Sequence, residues 1–206
     1  EGLKRLEYGG YDSAGLAVIH NNEIYRKREL GKVKGLEAML QADPISGFIG
    51  IAHTRWATHG KPSTANAHPH ICRNRVTVVH NGIIENHEQL RTQQLEDGYE
   101  FTSQTDTEVI VHQIFDALET SGDFVKAVKQ SLSKLEGAYA LGIVCTDQPD
   151  TLIACRKGSP LVIGVGIGEH FIASDVAALL PVTQRFIFLE DGDIAASTID
   201  SLVIYD

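Results

Sequence analysis

"TDTEVIVHQIFDALETSGDFVKAVKQSLSKLEGAYALGIVC", Thr105 to Cys145, carries the pattern on which the fold turns. Val111, Ile114, Phe115 and Leu118 recur at i, i+3, i+4 and i+7, the period of a helix with one buried face. Thr105 to Glu108, just before them, has capping-box spacing. Phe124, Ala127, Val128, Leu132 and Leu135 form a second stripe of the same kind, ended by Gly137. Ala138–Cys145 is then a continuous apolar run of strand length, as expected where both faces are covered. Two helices in succession and then a strand do not make a βαβ unit. Outward from this stretch, strands are predicted at Gly15–Ile19, Phe48–Ala52 and Val76–Val79 before it, and at Thr151–Cys155, Leu161–Val165, Phe186–Leu189 and Leu202–Tyr205 after it. A short helix is predicted from Asn86 as N-cap through Leu95 to Gly98. The glycines of Gly164–Gly168 resemble a phosphate loop, but Phe171-Ile172-Ala173 reads as another strand, so a hairpin is expected there. The fold class is α+β: antiparallel sheets covered by helices, without internal repeats.

Composition removes several functions. A net charge of −9 leaves no excess of Lys and Arg to neutralise phosphates, so no nucleic-acid partner is expected. No apolar run approaches the roughly 20 residues that span a bilayer, and Glu1–Arg5 lacks the apolar core of a signal peptide, so no membrane partner is expected. Three widely spaced cysteines, Cys72, Cys145 and Cys155, form neither a disulfide framework nor a zinc pattern. A cytoplasmic location is expected. Glu1–Glu7 reads as a helix already in progress, with Leu3 and Leu6 on one face and no capping residue before it. Ser201–Asp206 stops on a strand pattern.

The polar constellations lie between the elements. "HTRWATHG", His53 to Gly60, follows an apolar run with a cation, the sole tryptophan, a hydroxyl and two imidazoles. His53, His59, His68, His70, His80 and His87 crowd one region, but no metal-ligand spacing accompanies them and Pro69 keeps His68 and His70 off a helical face. Structural or substrate-contacting histidines are therefore expected, and no metal. Asn81-Gly82 has two readings: a hairpin turn, or an amide and a backbone N–H converging on an oxyanion. Arg55 taken singly reads as a surface ion pair, and Asp106 as an aid to the helix dipole. Together they suit the carboxylate and ammonium ends of an amino acid.

"LEYGGYDSAG" (Leu6–Gly15), "HTRWATHG", "NAHPH" (Asn66–His70), "HNGIIEN" (His80–Asn86), "TDTEV" (Thr105–Val109) and "GSPLVIG" (Gly158–Gly164) occur in this order. The set closely resembles the glutaminase domain of class II, N-terminal-nucleophile amidotransferases, in the bacterial form found in the glucosamine-6-phosphate synthase family. The resemblance covers essentially the whole chain. It implies a four-layer αββα fold with two stacked antiparallel sheets. It implies an activity: L-glutamine is hydrolysed to glutamate and ammonia, and the ammonia passes to fructose 6-phosphate to give glucosamine 6-phosphate, the first step of amino-sugar and cell-wall precursor synthesis. By the same resemblance Asn81 and the Gly82 N–H form the oxyanion hole, Arg55 holds the α-carboxylate and Asp106 the α-ammonium. Thr58, His59 and His68 complete the pocket, and Trp56 gates ammonia. No cofactor is implied. Residues 1–206 correspond to one amidotransferase domain truncated at both ends: the segment bearing the nucleophilic N-terminal cysteine and the sugar isomerase domains lie outside it. The complete enzyme is expected to be a homodimer. One departure stands out, since the family usually has arginine where this chain has Gly9.

Overall fold

The computed structural model describes residues 1–206 except Gly9, so the substitution noted there lies outside the described residues. In chain order the elements are α1 (Gly2–Leu6), β1 (Ser13–His20), β2 (Glu23–Leu30), α2 (Val33–Ala42), β3 (Ile49–Arg55), β4 (His70–Cys72), β5 (Val76–Ile84), α3 (His87–Glu96), α4 (Glu108–Ser121), α5 (Phe124–Leu132), β6 (Gly137–Cys145), β7 (Gln148–Lys157), β8 (Val162–Val165), β9 (His170–Ala173), β10 (Phe186–Phe188), β11 (Ile194–Ser197) and β12 (Leu202–Tyr205). A six-stranded antiparallel sheet runs β12-β11-β7-β6-β5-β4. A second layer consists of two three-stranded sheets, β2-β1-β3 and β10-β8-β9.

Side-chain alternation explains the layering. Leu141, Ile143 and Cys145 of β6 point to one face, where they meet Ile110, Ile114 and Phe115 of α4 and Phe124 and Val128 of α5. Val144 points to the other face, with Val79 of β5 and Leu152 of β7, against Ala17, Ile19 and Ile51 of the first small sheet. Ala140 and Ala154 meet Leu161, Ile163 and Leu189 beside the second. Gly142 lets the layers approach, since a Cβ there would lie 2.8 Å from Ile172 Cδ1. Beyond the first small sheet, α2 packs Val33 and Leu36 on Ala14 and Leu16. The order is helices, sheet, sheets, helices, as the αββα resemblance implies.

Several local expectations are corrected. Asn81-Gly82 is not a turn: β5 continues through it, with Asn81 opposite Ala140 and Gly82 opposite Tyr139. Thr105–Glu108 does not form a capping box. Thr107 is the N-cap residue of α4 and makes no side-chain cap, while the Glu108 carboxylate accepts the N–H groups of Thr102 and Ser103 at 2.9 and 2.7 Å. Gly137 does not end the second helix; α5 stops at Leu132 and Gly137 opens β6. The strand predicted from Phe48 starts at Ile49 and runs on to Arg55, leaving Phe48 fully exposed. Asn86 is the N-cap residue of α3, but its amide bonds Lys134 O and Glu136 N instead of the helix.

The two small sheets do not join. β3 pairs with β1 and β9 with β8, and between these two edges lies a groove of about 690 Å³. Ile51, Val79, Ala140 and Leu152 line it, Glu1 stands at its wall, and it reaches His53 and Asn81.

Candidate active site

Three strand ends and loops converge on a cavity of about 310 Å³. Arg55 closes β3 and is 4% exposed, as deeply buried as Asp106. Its Nη2 donates to the carbonyls of His59 and Gly60 at 2.6 and 2.9 Å, which curls the 55–60 loop around the guanidinium. Nη1 is buried 3.6 Å from Asp12 Oδ1 and has no hydrogen-bond partner among the described residues. A buried N–H left unpaired in this way is a donor waiting for an acceptor. Burial pushes the guanidinium below its ordinary pKa, and Asp12 and Asp106 pull against that shift. Asp12 also fixes the loop directly: its Oδ2 accepts the Ala57 N–H at 2.6 Å, and its own N–H donates to Arg55 O at 2.9 Å.

Asp106 sits in the turn before α4. Its Oδ2 accepts the Ile84 N–H at 2.8 Å, tying the carboxylate to the end of β5. Oδ1 lies 3.9 Å from His59 Nδ1. β5 carries Asn81 and Gly82 past the same cavity. Gly82 has φ of +132°, and a Cβ there would meet Ala138 O at 2.1 Å, so only glycine fits.

The histidines form a packed array. His53 and His68 stack with centroids 4.2 Å apart, and His70 meets His68 edge-on at 5.0 Å. Desolvation lowers the pKa of each: His53 to about 4, His70 to about 3, and His68 and His80 in the same direction. They are neutral at pH 7. One nitrogen of each of three rings is committed to a neighbour: His70 Nε2 to Thr105 Oγ1 at 3.0 Å, His80 Nδ1 to Thr107 Oγ1 at 2.9 Å, and His53 Nε2 to Asn81 Oδ1 at 2.7 Å.

Of the residues singled out in the sequence, Arg55, Trp56, Thr58, His68, Asn81, Gly82 and Asp106 line the one cavity. Trp56 lies at its mouth, 64% exposed. His59 is not on the wall; its ring packs edge-on against His87 at 4.6 Å and faces Asp106. Tyr11, His53, Thr54, His80, Ile83, Thr105 and Thr107 complete the lining. His53 and His80 stood out in the sequence as part of the histidine cluster, and the others only as members of the quoted motifs. None of the three cysteines lines the cavity, and burial pushes the Cys72 thiol up to about 12 and those of Cys145 and Cys155 in the same direction.

Opposite buried charges that share a cavity with a strand-borne amide suit an enzyme that grips an amino acid by its backbone and works on its side chain. Comparison with known proteins agrees on the class: residues 53–181 match the glutamine amidotransferase domain family, and the chain belongs to it. Among individual relatives, it is 58% identical over 207 residues to the glutamine–fructose-6-phosphate aminotransferase (isomerizing) of Pseudomonas putida. It is 59% identical over 205 residues to that of Acinetobacter baylyi. Each alignment includes all of this chain, which spans about a third of the length of these relatives, 34% and 33%. Among solved structures, the glutamine phosphoribosylpyrophosphate amidotransferase of B. subtilis superposes with a TM-score of 0.83 at 25% identity, over 99% of this chain and 45% of that one. A glutamine aminotransferase class-II domain protein of Silicibacter pomeroyi shares the fold, with a TM-score of 0.68 at 14% identity over 94% of this chain and 90% of that one.

Proposed function

We propose that this chain is the glutamine-hydrolysing domain of a sugar-aminating enzyme that makes glucosamine 6-phosphate from fructose 6-phosphate. The observation that carries the reading is the unpartnered Nη1 of buried Arg55 in the same cavity as the buried Asp106 carboxylate. A guanidinium with a free N–H takes the α-carboxylate of glutamine, and the aspartate takes its α-ammonium. The side-chain amide then extends toward Asn81 and Gly82. Residues 1–206 act as one amidotransferase domain, with the nucleophilic cysteine on a segment preceding Glu1 and the sugar isomerase domains following Asp206. The apolar groove between β3 and β9 supports this arrangement. It has an unpaired strand edge on each side and reaches Asn81, so an added strand would both bridge the edges and deliver its first residue to the cavity.

The chemistry is acyl transfer. The cysteine thiolate adds to the amide carbon, and the carbonyl oxygen becomes an oxyanion held by the Asn81 amide and the Gly82 N–H. Ammonia leaves with a proton passed on from the cysteine's own α-amine, and water cleaves the thioester to release glutamate. Thr58 and His68 shape the pocket, His59 backs the Asp106 carboxylate from outside the wall, and Trp56 gates the ammonia. The reaction uses no cofactor. The whole enzyme is a cytoplasmic homodimer. Among the described residues no helix is long and apolar enough to cross a membrane.

Glutamate release by the complete polypeptide tests the clamp. Arg55→Ala and Asp106→Ala should each raise the KM for glutamine about 10- to 100-fold, the worth of a lost charge-assisted pair. An unchanged KM in both variants overturns the reading.

A further inference from the structure

We propose that His53 is a positioning residue for the oxyanion amide: its Nε2–H donates to Asn81 Oδ1 and so turns the Asn81 NH₂ group toward the reacting carbonyl. This deepens the glutaminase reading and rests on it. An asparagine amide presents an acceptor on one side and donors on the other, and an oxyanion hole built with the acceptor side inward would repel the charge it must hold. Something has to choose the orientation. Asn81 lies on the face of β5 that meets the first small sheet, and its Oδ1 is 2.7 Å from His53 Nε2, which arrives from β3.

The proton on His53 is placed by elimination. His53 Nδ1 is buried and has no well-formed hydrogen bond among the described residues, the His80 carbonyl near the ring not meeting hydrogen-bond geometry. A proton there would be an orphaned buried donor, which folded proteins rarely tolerate, whereas a bare acceptor nitrogen costs less. The proton of the neutral ring therefore sits on Nε2, where it can only donate, and the atom it meets on Asn81 must be the oxygen. Desolvation, which lowers the His53 pKa to about 4, keeps the ring in this neutral form throughout the physiological range.

The ring that makes this choice is itself held. It stacks on His68 at 4.2 Å with an interplanar angle of 15°. His68 Nδ1 accepts the His80 backbone N–H at 3.2 Å, which leaves the His68 proton on Nε2, facing Thr107 Oγ1 at 3.3 Å. Thr107 adjoins Asp106 in the chain. The platform behind the oxyanion amide thus continues into the turn that carries the ammonium-binding carboxylate.

The test is a double-variant comparison in the complete polypeptide, reading kcat and KM for glutamine hydrolysis. His53→Phe keeps an aromatic ring for the stack and removes the donor. It should lower kcat about 10- to 100-fold, the scale of a mispositioned catalytic group, with KM held within about 2-fold. His53→Gln, whose amide can donate to the same oxygen, should recover most of that loss. In an Asn81→Ala background, His53→Phe should lower kcat by less than about 2-fold more, because the group it positions is gone. Additive losses in the double variant, a raised KM at unchanged kcat, or a His53→Gln variant as poor as His53→Phe would each overturn the inference. If circular dichroism shows His53→Phe to be unfolded, His53→Leu takes its place under the same criteria. A full kcat for Asn81→Ala alone strikes the oxyanion reading itself and takes this inference with it, whereas a crippled Asn81→Ala with additive His53 losses removes only the inference.

Discussion

Asn81 shows how a single side chain separates a catalytic role from a structural one. A donor aimed at the oxyanion acts mostly in the transition state, so its removal should lower kcat and leave KM nearly unchanged. Asn81→Ala in the complete polypeptide should cost on the order of 10²–10³ in kcat, the typical loss for one oxyanion donor. Asn81→Asp should be at least as damaging. It puts a negative charge where another develops, and it replaces the NH₂ donors with an oxygen. Since β5 runs straight through this position, no turn preference favours aspartate here. An Asn81→Asp enzyme with near-normal kcat would refute the oxyanion assignment.

At the scale of elements, the same residues explain which parts of the fold were legible. The helices α4 and α5 stood out because their buried stripes are complete, and β6 because both its faces are covered. β3 and β5 were read too short, at Ala52 and Val79, because the polar residues that end the apolar runs turn into the cavity lining. His53, Arg55 and Asn81 are still in strand conformation, held there by the ladders to β1 and β6. β2 was invisible for another reason. "EIYRKREL" is an edge strand whose charges are compatible with solvent, and its hairpin turn is made by Asn21 and Asn22, both at positive φ, instead of by a glycine. β4 has three residues and β11 is the small-residue "IAAS", too little pattern for either to be seen. Of the site, the charges and the Asn-Gly pair were readable from their chemistry, while His53 was readable only as one of a histidine cluster, since its contact with Asn81 joins positions 28 apart. Gly82 gives this scale its prediction. Gly82→Ala must displace Ala138 O, 2.1 Å from the new Cβ, and open the β5–β6 ladder. It should cost about 3 kcal/mol or more in urea unfolding. Gly98→Ala, also at positive φ but with nothing within 4 Å, should cost only about 1–2 kcal/mol. Equal losses in the two variants would mean that the close approach at Gly82 does not matter.

For the molecule as a whole, the array of buried neutral imidazoles sets a pH limit on stability. The direction follows from proton binding. The unfolded chain takes up protons on His53, His68, His70 and His80 near pH 6.5, while the folded chain resists until pH about 4 for His53 and about 3 for His70. Between those values the unfolded state binds more protons, so stability falls as the pH is lowered. Each such histidine contributes up to about 1.4 kcal/mol per pH unit across its window. Glu108 works in a separate range. Burial alone would raise its pKa, but the His112 ring 3.7 Å away and hydrogen bonds from Ser103 and the Thr102 N–H prevail and hold it at about 2. Its stabilisation is complete above its unfolded value of 4.5 and is lost as the pH falls through about 2. The interval from pH 6.5 to 4.5 therefore belongs to the histidines. Urea midpoints measured across it should drop steadily, with a slope equivalent to the uptake of more than one proton on unfolding. A flat profile down to pH 4.5 would mean that these rings are already charged or solvated in the folded state. The hydrogen-bond directions assigned to them, including the one that orients Asn81, would then fail as well.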